Sequence, residues 1–218
     1  MGTSPGRRNQ SATAAIRLDA LNAIVAQPRR YEQILDLIEV FKPMTICEVG
    51  TWSGCRAKEM CVTALKYVDS VHYVGFDVFE DGNDELDDAE LNGKTRCAME
   101  TVYRLLAETA SNHSGFTFEL IKGLTSNTLH GKSLAFDFTY IDGGHSVGTI
   151  DGDYRALKAS RHIVLDDFYT GGKIDTKSYG CNSLVKGLPH LVLPIYDCVK
   201  EGDLVQLVMR VSPTVACL

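Results

Sequence analysis

At 218 residues the chain is long enough for one generous domain or a domain with a lid, and its 44% apolar and 23% charged content is that of a soluble globular protein. The net charge of −6 argues against nucleic acid as a main partner, and no apolar run approaches the roughly 18 residues of a membrane span. Seven scattered cysteines without a C-x-x-C pair read as buried, reduced thiols of a cytoplasmic protein rather than as a zinc site.

Met1 to Gln10 is polar, with Arg7 and Arg8 but no apolar core behind them, and reads as a mobile tail rather than a secretory signal. Residues 11–42 read as two N-terminal helices. The first, Ser11–Gln27, carries apolar residues at Ile16, Leu18, Leu21, Ile24 and Val25 and is interrupted by Pro28. The second, Arg29–Phe41, carries Ile34, Leu35, Leu37, Ile38 and Phe41 and is closed off by Pro43. Such a pair is expected to cover a sheet edge or to meet a second copy in a homodimer. Residues 43–218 are expected to form the main domain.

That domain opens with an apolar strand, Met44–Val49, that runs into Gly50 to Gly54 and then a helix from Cys55 to about Val68. A strand that ends in a glycine turn and feeds a helix is the opening unit of a nucleotide-binding α/β fold, though an ordinary β-to-α turn has the same form. Val71–Asp77 is a second strand. Between Glu80 and Glu90 stand seven acids and no base, which reads as a solvated, flexible loop. Thr95–Ser111 has helical spacing, Phe116–Ile121 is a strand, and Gly123–Asn127 is a turn. Ala135–Ile141 is a fourth strand, Ile150–Ala159 a helix and His162–Leu165 a fifth strand that ends at Asp166 and Asp167. A glycine-rich stretch leads to a helix near Asn182–Gly187. The chain then closes with two strands, Leu191–Val199 and Leu204–Val211. Alternation followed by a hairpin predicts an α/β fold: a doubly wound, seven-stranded, mostly parallel sheet with a C-terminal antiparallel hairpin.

Ligands of such sheets lie beyond the carboxyl ends of the strands, where strand order reverses. The polar residues gather there: Gly50 to Gly54, Asp77, Gly123 to Ser126, Asp142 with His145, and Asp166 with Asp167. Asp77 lies 23 residues after Gly54, near the roughly 20-residue spacing at which a carboxylate takes ribose hydroxyls. His72, His113, His130, His162 and His190 have no company comparable to that of His145.

Glu48-x-Gly50-x-x-x-Gly54, Asp77, Ile141-Asp142-Gly143-Gly144-His145 and Leu165-Asp166-Asp167-Phe168 together resemble the class I S-adenosylmethionine-dependent methyltransferases. Within them the chain is most similar to the small-molecule O-methyltransferase branch that includes macrolide-sugar and, more distantly, catechol O-methyltransferases. The resemblance spans roughly Phe41 to Val211 and implies the Rossmann-like methyltransferase fold. It implies that Glu48, Gly50 and Gly54 line the methionine part of S-adenosylmethionine, that Thr51 and Asp142 also bind the cofactor, that Asp77 takes the ribose and that Val78 lies on the adenine. The turn holding Gly123, Thr125 and Ser126 would approach the adenine edge. Two positions depart from the pattern: Trp52 stands where many relatives have glycine, and Leu124 and Thr125 stand where relatives often have an acid.

Asp142, Asp166 and Asp167 offer the hard oxygen ligands that Mg²⁺ accepts, and the metal-dependent relatives imply the same three. Consecutive strand residues point to opposite faces, so Asp166 and Asp167 can share one ion only if the strand has already ended. Methyl transfer needs in-line attack by oxygen on a sulfonium methyl. A neutral alcohol is a poor nucleophile, which gives His145 the role of base and the metal that of activator. The expected activity is therefore methylation of a small hydroxylated acceptor. A non-catalytic binding module on the same fold is the main alternative. A nicotinamide oxidoreductase is disfavoured by Glu48 and by the absence of Gly-x-Gly-x-x-Gly, and a hydrolase because Ser53 stands one place late for a nucleophile elbow.

Overall fold

Ile34, Leu37 and Ile38 fall on one side of helix α1 (Glu32–Phe41) and are fully buried there. The helix stops where Lys42 turns left-handed (φ 50°) and donates its N–H to the Ile38 carbonyl at 2.8 Å, one residue before Pro43. The computed structural model describes residues 30–93, 95–198 and 202–211; the tail and helix predicted before Pro28 lie outside these.

Strand β1 (Thr45–Val49) follows, and Asp137 pins its start by accepting from the N–H groups of Met44 and Thr45 at 3.0 Å each. The chain continues through α2 (Cys55–Ala64), β2 (Val71–Asp77), a single 3₁₀ turn (Phe79–Asp81), α3 (Asp84–Ala89) and α4 (Met99–Asn112). Then come β3 (Phe116–Lys122), α5 (Thr125–Thr128), β4 (Phe138–Ile141), α6 (Val147–Leu157) and β5 (His162–Tyr169). The remaining elements are α7 (Asn182–Val185), β6 (His190–Cys198) and β7 (Leu204–Arg210).

The seven strands form one sheet in the order β3-β2-β1-β4-β5-β7-β6. Strands β1 to β5 run parallel, and β7 lies antiparallel between β5 and β6. Period-two alternation divides the side chains between two cores. Ile46 and Tyr73 join Met60, Val102 and Leu106 on one face; Cys47, Val49 and Phe76 join Ile150 and Leu157 on the other. Each such side chain contributes roughly 1.5–3 kcal/mol on burial, which is what holds the helices to the sheet.

The topology fixes where a ligand can go. The chain moves outward from β1 to β3 and then returns to β4 on the opposite side of β1. Val49 pairs with Ile141, so the loops that begin at Gly50 and Asp142 leave the sheet side by side at this reversal.

Among the segments that differ from the sequence expectation, two stand out. The acidic run contains the helix α3 rather than being an open loop throughout, with the Asn83 side chain accepting from the N–H of Leu86 at 2.8 Å as its cap. Strand β5 continues to Tyr169 instead of ending at Leu165. It does so through a bulge: Leu165 pairs with Val208 and Phe168 with Gln206, so Asp166 and Asp167 together stand opposite Leu207 alone. Among the described residues no helix is long and apolar enough to cross a membrane.

Candidate active site

Gly50 makes the first turn of the site. Its φ of 88° belongs to the left-handed region, and a Cβ there would collide with the carbonyl of Asp142. Trp52 is also left-handed (φ 47°), occupying the glycine position of the pattern without being glycine. Two hydrogen bonds hold it: its backbone N–H donates to Asp77 Oδ2 at 2.7 Å, and its indole N–H to the Thr95 carbonyl at 2.7 Å. Asp77 Oδ1 accepts from the N–H of Phe79 at 2.6 Å, and Phe79 is left-handed as well (φ 50°). One carboxylate thus secures two loops whose backbones sit in the costly left-handed region, at about 1–3 kcal/mol each.

Beyond the ends of β1 to β4 lies a cavity of about 300 Å³. Gly50, Asp77, Val78, Gly123, Thr125, Ser126, Asp142 and His145 all line it. Glu48, Thr51 and Gly54, predicted to bind the cofactor, do not. Glu48 shares the face of Ile46 and points into the core, where Tyr73 donates its hydroxyl to Glu48 Oε2 at 2.5 Å. Burial pushes the Glu48 carboxyl up to about 8, partly opposed by that hydrogen bond. The Thr51 hydroxyl lies 3.1 Å from the same Tyr73 oxygen. Gly54 starts α2 against α4, where a Cβ would stand 2.7 Å from Val102 Cγ1. These three residues shape the loop from behind.

The acidic segment roofs the cavity with Leu86, Asp87 and Glu90, and its charges are largely spent within the fold. Arg96 pairs with Asp84 and Asp87, while Lys122 pairs with Glu80 and Asp81 at 2.6 and 2.7 Å. Glu90 takes hydrogen bonds from the Ser146 N–H (2.7 Å), the Ser146 hydroxyl (3.0 Å) and the Thr149 hydroxyl (2.7 Å). The roof is thereby fastened to the loop that carries Asp142 and His145.

The bulge separates the two consecutive acids of β5. Asp166 is buried in a network with Arg30, which forms an ion pair with Asp166 Oδ1 and another with Asp197 at 3.0 Å. Tyr140 donates to Asp166 Oδ2 at 2.9 Å, and the Tyr31 hydroxyl lies 3.3 Å from the same oxygen. Burial raises the Asp166 carboxyl to about 6, with the charge of Asp142 adding to the rise and that of Arg30 opposing it. Asp167, left-handed at φ 60°, turns toward His145 instead. Its Oδ2 lies 3.4 Å from His145 Nε2, and its Oδ1 accepts from the Tyr169 hydroxyl at 3.0 Å. Burial raises its pKa, and His145 opposes that rise.

Asp142, His145 and Asp167 each place one ligand atom within 4.8 Å of the others. The predicted metal set of Asp142, Asp166 and Asp167 is therefore not the trio that the structure groups here, because the bulge and Arg30 engage Asp166 elsewhere. The two carboxylates of this partly buried cluster fit a hard divalent cation by donor type, with the imidazole beside them. Sequence reasoning passed over Arg30 and His130, whose partners are remote in the chain, and over the roof residues, whose composition reads as solvated loop.

No protein-family model and no curated protein sequence matches the chain. Solved structures do. The O-methyltransferase TomG from Streptomyces achromogenes, involved in tomaymycin synthesis and solved with SAM, aligns at TM-score 0.55 and 13% identity, over 94% of this chain and 91% of that one. An O-methyltransferase from Bacillus cereus, solved with SAH, aligns at TM-score 0.56 and 15% identity, over 95% and 92%. A methyltransferase from Geobacter sulfurreducens aligns at TM-score 0.51 and 14% identity, over 97% and 92%. With seven strands in one sheet, a C-terminal antiparallel hairpin and these alignments, the chain has the Rossmann-like fold of the S-adenosylmethionine-dependent methyltransferases.

Proposed function

We propose that this protein transfers the methyl group of S-adenosylmethionine to a hydroxyl of a small molecule, with Mg²⁺ and His145 assisting. One observation carries the reading: Asp142 and His145 belong both to the cavity at the strand-order reversal and to the cluster of possible metal ligands. A cofactor lying along the cavity would have its ribose at Asp77, its adenine between Val78 and the Thr125–Ser126 turn, and its methionine part toward Gly50 and Asp142. Its methyl group would then face the cluster.

Mg²⁺ takes oxygen ligands, so Asp142 and Asp167 would hold it and leave the imidazole of His145 free for proton transfer. Bound there, the cation would supply a Lewis acid that lowers the pKa of the acceptor hydroxyl. His145 would take that proton, and the neighbouring Asp167 carboxylate, whose Oδ2 lies 3.4 Å from Nε2, would steady the imidazolium. Bound in the cavity, S-adenosylmethionine would supply its methyl group to the acceptor oxygen as the carbon–sulfur bond breaks, leaving a methyl ether and S-adenosylhomocysteine. Asp166 takes no part in the transfer; it stays buried in its ion pair with Arg30. The buried thiols of Cys47, Cys61 and Cys181 suit a reducing compartment, and we place the protein in the cytoplasm.

The test is thermal unfolding with S-adenosylhomocysteine, followed by transfer of labelled methyl from S-adenosylmethionine to a panel of hydroxylated acceptors with Mg²⁺ or EDTA. The cofactor product is expected to raise Tm, and Asp77→Ala to abolish that rise. No shift at millimolar ligand overturns the reading. Methyl transfer that survives EDTA overturns the metal, and transfer that survives His145→Ala undiminished overturns the base.

A further inference from the structure

His130 stands in the wall of the cavity directly after the turn that follows β3, and its N–H donates to the Thr125 carbonyl at 2.8 Å. Its ring is held from behind. Nε2 lies 2.9 Å from Oδ1 of Asp153, a residue of α6 that is fully buried. The other oxygen of Asp153 is buried too and accepts no hydrogen bond. A buried carboxylate oxygen in that condition costs the fold stability, and the partners the carboxyl does have, His130 and the Thr125 side chain, both stand in the cavity wall. Gly152, beside it, supplies the room the ring needs: a Cβ there would stand 2.5 Å from Nε2 and 2.7 Å from Nδ1. A helix-interior glycine and a half-satisfied buried acid thus converge on one imidazole in the cavity wall.

A carboxylate only accepts hydrogen bonds, so a neutral imidazole paired with ionised Asp153 carries its proton on Nε2 and keeps the lone pair of Nδ1. In that form the ring offers an acceptor. The two acids of the roof are engaged: Glu90 takes three hydrogen bonds from Ser146 and Thr149, and Asp87 pairs with Arg96. The turn itself carries Leu124 and Thr125 and no acid. Adenine presents one donor on its pairing edge, the exocyclic amino group.

We propose that His130, set by Asp153 and accommodated by Gly152, reads the amino group of the cofactor's adenine and makes the site selective for adenine over 6-oxopurines. This rests on the cofactor assignment above. A base with a carbonyl at that position would bring an acceptor against an acceptor, a mismatch that a buried polar site rejects strongly.

The experiment compares two ligands by titration calorimetry: S-adenosylhomocysteine and S-inosylhomocysteine, its 6-oxo analogue. The unaltered protein is expected to prefer the adenosyl form by about tenfold or more. His130→Phe keeps a ring of similar size and removes the acceptor, so it should weaken adenosyl binding about tenfold and bring the ratio of the two affinities close to one. Gly152→Ala lies outside the cavity wall and displaces the ring without deleting it. It should narrow the ratio in the same direction and provides the reading if His130→Phe fails to fold. A ratio unchanged in both variants overturns the role of His130 while leaving the cofactor assignment standing. Failure of the unaltered protein to bind either ligand overturns the cofactor assignment and this inference with it.

Discussion

Replacing Glu48 by Gln should change how the stability of the protein depends on pH. Glu48 is buried beneath the first loop with Tyr73 as its hydrogen-bond partner, and its carboxyl is raised from an ordinary 4.5 to about 8. Because the folded state holds this proton more tightly than the unfolded chain does, unfolding releases it, and rising pH favours unfolding. The favourable contribution is fully present below about pH 4.5 and is lost progressively as pH climbs to about 8. A shift of roughly 3.5 units at 1.36 kcal/mol each is on the order of 5 kcal/mol across that window, as an upper figure. Gln has nearly the same shape and carries no charge at any pH. The measurement is urea unfolding followed by far-ultraviolet circular dichroism at intervals from pH 5 to pH 9. The stability difference between the Gln variant and the unaltered protein should move by several kcal/mol in favour of the variant as pH rises. Other titrating groups, Asp166 among them, are common to both proteins and largely cancel in that difference. A difference that stays flat over the whole range would show that Glu48 titrates normally and would refute the argument from burial.

Other perturbations test the neighbouring parts. Arg30→Met leaves Asp166 buried without its cation and should cost about 3–5 kcal/mol in urea unfolding, most of it recovered when Asp166→Asn is added. Gly50→Ala combines a left-handed backbone with a collision against the Asp142 carbonyl; a loss of about 3 kcal/mol or more and a collapse of S-adenosylhomocysteine binding are expected by calorimetry. Glu90→Ala unfastens the roof from Ser146 and Thr149, so stopped-flow dissociation of S-adenosylhomocysteine should quicken about tenfold while Tm changes little.

Elements with a strong local signal were legible before the fold was known. The apolar runs of β1 and β2, the helical spacing of α1 and the closing hairpin all occur where periodicity places them. Gly50, Asp77, Asp142 and His145 line the cavity because strand ends must converge at the order reversal, and strand ends are readable. What failed depended on partners far along the chain. The acids near residue 85 read as a solvated loop because Arg96 and Lys122, which neutralise them, come later in the sequence. His130 looked solitary because Asp153 is 23 residues away, on a later helix. The bulge in β5 exists only through its pairing with β7, about 40 residues on, so no window around Asp166 and Asp167 could reveal it. Glu48 differs in kind, since it stands outside the cavity lining. Alternation with Ile46 and Cys47 already placed its side chain on a core face, and the motif resemblance outweighed that simpler signal.

The bulge also constrains how this site can change over generations. Substitution alters what Asp166 or Asp167 is, but only gain or loss of a residue alters where each is addressed. Deleting one residue between Leu165 and Phe168 would restore an unbroken ladder with β7 and leave a single acid to answer both Arg30 and His145. Lineages that keep this chemistry are therefore expected to keep the length of β5 and the pairing frame of β7 more strictly than the identity of the residues around them.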